Sequence, residues 1–89
     1  MGPEARLESR CCALAQQAGY MPIKLHGVGL PDRLFITKEW QECIFVEFKA
    51  PKGRLSPAQK TMHRRFKKLR HYVYTVRSVD EFKKALMLR

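Results

Sequence analysis

Between residues 4 and 18 the apolar positions recur with helical spacing. Leu7, Cys11, Leu14 and Ala18 fall at i, i+4, i+7 and i+11, which predicts a helix from Glu4 to Ala18 with Gly19 as its terminator. The period then shortens. Tyr20 to Leu25 reads as a strand in which Pro22 marks an edge or a strand start, Gly27-Val28-Gly29 as a turn, and Arg33 to Thr37 as a second short strand. Cys43 to Lys49 alternates most clearly: Ile44, Val46 and Phe48 point one way, and Phe45, Glu47 and Lys49 the other. Ser56-Pro57-Ala58-Gln59 has the form of a capping box with proline at N1. It opens a helix to about Arg70, with Ala58, Met62, Phe66 and Leu69 as the expected buried stripe and Lys60, Arg64, Lys67 and His71 opposite. Tyr72 to Val76 is a fourth strand, and Ser78-Val79-Asp80-Glu81 a second capping box that opens a last helix around Phe82, Ala85 and Leu86.

The order α-β-β-β-α-β-α predicts one α/β domain spanning 1–89, a mixed sheet with helices on its faces. At 89 residues and 45% hydrophobic content there is material for a single modest core. No run approaches the roughly 20 apolar residues of a membrane span, and the first thirty residues have no apolar signal region. Arg6 occupies the position where a myristoylation motif wants Ser or Thr. The expectation is a soluble, cytoplasmic protein.

Charge changes the picture. The formal net charge is +10, and all of it lies in the second half. Residues 1–45 carry five basic and five acidic side chains, whereas residues 46–89 carry thirteen basic and three acidic ones. From Lys49 to Arg70 there are nine basic residues and no acid. A surface this one-sided favours a polyanion such as nucleic acid over an acidic protein partner or a merely solvated face. The three cysteines and three histidines show no metal-ligand spacing, so zinc is set aside and all six read as core filler or surface.

The chemistry concentrates on the third strand. Glu47 and Lys49 emerge on one face of a strand that is otherwise apolar on both sides, and Asp32 precedes the neighbouring strand. Carboxylates are rare in such surroundings unless paired or bound to metal. Two carboxylates and a lysine beside a basic surface are the parts of a site that uses a hard divalent cation on a phosphodiester. An ordinary ion pair explains the same residues equally well at this point.

Pro31-Asp32, fourteen intervening residues and Glu47-Phe48-Lys49 form the P-D…E-x-K pattern of the PD-(D/E)xK nuclease superfamily. The segments G-V-G-L-P-D-R-L-F-I and V-E-F-K-A-P-K-G-R-L-S-P-A-Q, with Val76-Arg77-Ser78 beyond them, resemble the virus-type replication-repair nuclease domain, VRR-Nuc, in its stand-alone phage and bacterial form. The resemblance runs from the first helix to the last. It implies a restriction-endonuclease-like αβββαβ core with one extra C-terminal helix, and a metal-dependent DNA endonuclease. It implies Asp32 and Glu47 as ligands of Mg²⁺ or Mn²⁺, with the Phe48 backbone carbonyl as a further ligand. Lys49 is implied as the catalytic lysine, and Gln59 as the glutamine of the following helix, where the capping box alone also explains it. A first-helix acid is implied too: Glu8, eleven residues before Gly19, ahead of Glu4 one turn earlier.

Lys24, Arg33, Lys52 and Arg54 around the motif, and Lys60, Arg64 and Lys67 on the helix, are the expected phosphate contacts. Ser56 reads as a cap rather than a nucleophile. Trp40 and Tyr74 are candidates for stacking on bases, although packing explains single aromatics as well. The chain has no module for reading bases, and a domain with one site cuts two strands in concert only as a two-fold dimer. Stand-alone relatives look like homodimeric Holliday-junction resolvases, so branched DNA, a four-way junction above all, is the expected substrate. A less selective flap or duplex nuclease and a non-catalytic nucleic-acid-binding module are the alternatives.

Overall fold

The computed structural model of the chain describes residues 1–37 and 42–88. Its elements follow the expected order: α1 (Pro3–Gln17), β1 (Met21–Lys24), β2 (Arg33–Ile36), β3 (Cys43–Phe48), α2 (Pro57–Lys68), β4 (Val73–Val76) and α3 (Val79–Ala85). The sheet order is β1-β2-β3-β4. The first three strands form an antiparallel meander, and β4 returns parallel to β3 after α2 crosses over. Pro22 lies on the edge strand β1, where a missing N–H costs least. No helix among the described residues is long and apolar enough to cross a membrane.

The alternation in β3 divides the molecule. Val46 and Phe48 enter the main core with Cys11 and Ala15 of α1, Phe35 of β2, Val76 of β4, and Phe82 and Leu86 around α3. Phe82 anchors this side, its ring edge-on to Phe35 at 5.1 Å and tilted against Phe48 at 6.0 Å. On the other face Phe45 meets Phe66 of α2 edge-on at 4.9 Å. Burial at the C-terminal end of β3 is complete on both faces, with Val46, Glu47 and Phe48 all inaccessible.

All three helices end in the same way. The residue at C′ is left-handed, and the next amide bonds back to the carbonyl five residues earlier, as Tyr20 does to Ala15, His71 to Phe66 and Leu88 to Lys83. Only the first such residue is glycine, Gly19 at φ 89°; the others are Arg70 at 66° and Met87 at 56°.

Three expectations need correction. In α1 the buried positions are Cys11 and Ala15, and Ala18 is exposed because it is already the C-cap. In α2 the sheet-facing positions are Gln59, Met62, His63 and Phe66, and none is fully buried. Ala58 is exposed and Leu69 is 74% exposed, since Leu69 is the C-cap and has left the helical stripe. At α3 the cap is only half of the expected box: Ser78 Oγ accepts from Glu81 N at 3.1 Å, while Glu81 Oε1 accepts from Arg77 N instead of returning to Ser78. Trp40 lies outside the described residues.

Candidate active site

Strand register brings the two carboxylates together. Arg33 pairs with Val46 across the antiparallel β2–β3 ladder, and one further step sets Asp32 opposite Glu47. Directly opposed residues of an antiparallel pair share a face. Pro31, fully buried, has no N–H with which to continue the ladder. The Phe48 amide turns to the side chain instead, donating to Asp32 Oδ2 at 2.7 Å. The P-D pair thus stops the ladder and turns a carboxylate into the space where the strand would have continued.

Glu47 is 1% exposed. Its Oε2 accepts from Gln59 Nε2 at 3.2 Å, and its Oε1 has no hydrogen-bond partner among the described residues. Burial, and then the adjoining Asp32 carboxyl, pushes the Glu47 carboxyl up to about 8 against the pull of Lys49. A buried carboxylate with an unpartnered oxygen, set against a second carboxylate, suits a hard divalent cation, which needs few protein oxygens and keeps several waters. Among the described residues no three His, Cys, Asp or Glu side chains enclose an ion. The available donors are therefore Asp32, Glu47 and a backbone carbonyl such as that of Phe48.

Lys49 follows β3, where its amide donates to Val76 O at 2.9 Å and prolongs the parallel ladder. Its ammonium makes no ion pair among the described residues, yet its charge is felt by both Glu47 and His63. Gln59 has a double task. Its Oε1 accepts from Ser56 N at 2.8 Å and its own amide donates to Ser56 Oγ at 3.1 Å, completing the capping box, while Nε2 holds Glu47.

The first-helix acids share a cleft of about 450 Å³ with Asp32, Phe48 and Ala50. Glu8 Oε2 accepts from Arg33 Nε at 2.6 Å and Lys24 Nζ at 2.9 Å. Burial alone would raise its carboxyl, but the two cations hold it below the usual range. Glu4 Oε1 accepts from Ala50 N at 3.3 Å on the other side of the cleft. Lys24 and Arg33, expected to meet phosphates, are thus already partnered. Lys52 and Arg54 are exposed in the turn after β3, and Lys60, Arg64 and Lys67 are exposed on α2. Arg64 Nη2 also donates to Thr61 Oγ1 at 3.3 Å. Tyr74 is exposed and packs edge-on against Tyr72 at 4.7 Å.

One residue of the site was missed. His63, taken from sequence as core filler or surface, sits one helical turn after Gln59, with Nε2 3.6 Å from Glu47 Oε1. Burial, and then Lys49, lowers its pKa and favours the neutral ring. Its i+4 spacing from Gln59 on the face shared with Met62 and Phe66 was the available signal.

Comparison with known proteins agrees with this architecture. The VRR-NUC domain profile matches residues 3–80. A solved structure described as a VRR_NUC domain superposes with a TM-score of 0.86 at 26% identity, covering 98% of this chain and 97% of that one. No curated protein matches the chain. The profile takes in α1, the whole sheet, α2 and the start of α3, and the chain belongs to the VRR-NUC family of nucleases.

Proposed function

We propose that the protein is a metal-dependent, structure-selective DNA endonuclease, and that it acts as a homodimer on four-way junctions. The observation that carries the catalytic reading is the convergence of Asp32 and Glu47 at the end of β3, with Glu47 buried and one of its oxygens without a hydrogen-bond partner among the described residues. Asp32, Glu47 and the Phe48 carbonyl would hold Mg²⁺ or Mn²⁺. When bound, the cation supplies Lewis acidity toward the phosphate and lowers the pKa of an attacking water. Glu8 is the further acid from α1: its Oε2 is committed to Lys24 and Arg33, and its Oε1 makes no ion pair among the described residues.

The chain's own side chains do the rest. Lys49, with no carboxylate paired to it among the described residues, stabilises negative charge that develops on the phosphate. Gln59 fixes the rotamer of Glu47 from a helix start that is itself capped. The exposed cations Lys52, Arg54, Lys60, Arg64 and Lys67 draw in and orient the backbone of the nucleic acid, and Lys24 and Arg33 line the approach while holding Glu8. These contacts read phosphate positions, not bases, which supports selection by DNA shape.

The dimer rests on symmetry: one site per chain and a two-fold substrate call for two copies. Cleavage of a labelled four-way junction beside flap and duplex DNA, combined with sedimentation of the protein, tests this reading. Paired symmetric nicks in the junction by a two-chain species are expected. Equal cutting of all three substrates by a monomer would keep the nuclease and remove the junction selectivity.

A further inference from the structure

Away from the carboxylates, two aromatic rings are left in solvent. Tyr72 and Tyr74 are 60% and 38% exposed, and their rings pack edge-on to each other at 4.7 Å. Tyr74 lies on β4, an edge strand of the sheet. Both rings line a groove of about 630 Å³ together with Arg70, His71 and Met87. Among the described residues the only non-glycine residues with positive φ are Arg70 at 66° and Met87 at 56°. Both line this groove, so side chains are kept there at a backbone cost that glycine would avoid, and strain of that kind concentrates at binding sites.

Charge decides what the groove takes. Arg64, Arg65, Lys67, Lys68 and Arg70 are exposed just before the tyrosines, and the sequence has no acid from residue 48 to residue 79. None of these cations makes an ion pair among the described residues. A second copy docked here about a two-fold axis would set them against their own counterparts. A polyanion is attracted instead. Aromatic rings exposed within a basic surface suit single-stranded nucleic acid, whose bases stack on the rings while the cations follow the phosphates. A duplex keeps its base faces inside its own stack.

The groove also stands where a strand leaving the catalytic site would reach it. Gln59 holds Glu47 at the start of α2, and Arg70 follows the last turn, roughly 16 Å further on at the helical rise. Lys60, Arg64 and Lys67 lie between them at i, i+4 and i+7, one row along the helix.

We propose that Tyr72 and Tyr74, with Arg70, form a base-stacking platform for an unpaired DNA strand that runs from the cleavage site along α2. This rests on the nuclease reading above and adds a feature of the substrate: unpaired bases near the cut, such as a flap or the opened centre of a junction exposes.

Fluorescence anisotropy in chelator, with labelled oligothymidylate and an abasic strand of equal length and charge, tests the platform apart from cleavage. The wild type should bind the thymidylate at least about fivefold more tightly. The Tyr72→Ala, Tyr74→Ala double variant should lose that preference and bind the abasic strand as the wild type does, whereas the Tyr72→Phe, Tyr74→Phe variant should keep it. Because the two strands are compared on the unmutated chain, the result stands even if a variant fails to fold. Equal binding of both strands by the wild type would overturn the platform and leave the nuclease reading standing. A preference that survives in the double alanine variant would overturn it as well. A dimer that the double alanine substitution turns into a monomer in sedimentation, with strand binding unchanged, would assign the groove to a second copy instead. No binding of either strand or of duplex by the wild type would overturn both readings.

Discussion

Gln59 donates to Glu47 across 3.2 Å with the same amide group whose oxygen closes the cap of α2. The start of a helix and the orientation of a buried carboxylate are thus set by one side chain. Gln59→Ala removes both, and the lost cap and hydrogen bond should destabilise the fold by about 1–2 kcal/mol. Gln59→Glu separates the two roles, because glutamate at N3 also completes a capping box but sets a second negative charge against Glu47. Because the Nε2 donor to Glu47 is lost as well, its urea midpoint should also fall, through that contact and not through the cap, and cleavage should fall at least tenfold. Wild-type cleavage by Gln59→Glu would remove Gln59 from the site.

Glu47 makes metal-free stability depend on pH with a definite sign. Its carboxyl rises from 4.5 to about 8 on folding, so the native state binds the proton more tightly than the unfolded chain. This contribution is complete below about pH 4.5 and is lost as pH climbs through about 8. His63, whose pKa is lowered, contributes in the opposite sense, stabilising above its unfolded pKa. Thermal melts in chelator from pH 5 to 9 should therefore be compared between wild type and Glu47→Gln. The wild type should lose melting temperature relative to the variant as pH rises. Parallel curves would contradict a Glu47 carboxyl raised by burial.

The exposed cations of α2 should act through the nucleic-acid backbone. Neutralising Lys60, Arg64 and Lys67 together is expected to weaken duplex binding and to lower the slope of log K against log salt by up to about 3. Fluorescence anisotropy between 50 and 200 mM salt (about a fourfold range), in chelator, reads this directly. An unchanged slope would move the DNA surface off this helix.

Arg70 occupies the left-handed C′ position of α2 at φ 66°. The conformation is costly for a residue with a Cβ and free for glycine. Arg70→Gly should raise stability by about 1 kcal/mol, and Gly19→Ala at φ 89° should lower it by a similar amount. Urea unfolding of both variants checks the pair. A destabilised Arg70→Gly would mean that the arginine side chain contributes more than its backbone strain costs.

All seven elements were legible because local signals agreed: the alternation of β3, the Ser-Pro-x-Gln start of α2, and Gly19 after α1. The convergence of Asp32 on Glu47 was legible as a spacing, although only the β2–β3 register explains why the two share a face. What escaped was the rotation of α2. An apolar stripe through Ala58 and Leu69 is the pattern that packing alone would select, but polar Gln59 and His63 face the sheet because Glu47 lies beneath them. Local hydrophobic patterning misleads where a site occupies part of the core. The engagement of Lys24 and Arg33 by Glu8 escaped for another reason. It joins α1, β1 and β2 across 16 and 25 residues, a separation on which sequence pattern carries no information.

A metal-dependent phosphodiester-cleaving site made of Asp32, Glu47 and Lys49 is tested by single-turnover cleavage of labelled branched DNA with Mg²⁺, Mn²⁺ or chelator, by the wild type and by Lys49→Ala. Cleavage that requires a divalent ion and falls by at least about a hundredfold in Lys49→Ala is expected, the size of loss seen when a group stabilising transition-state charge is removed. Cleavage that survives chelator, or a Lys49→Ala variant that cuts at the wild-type rate, would contradict the account.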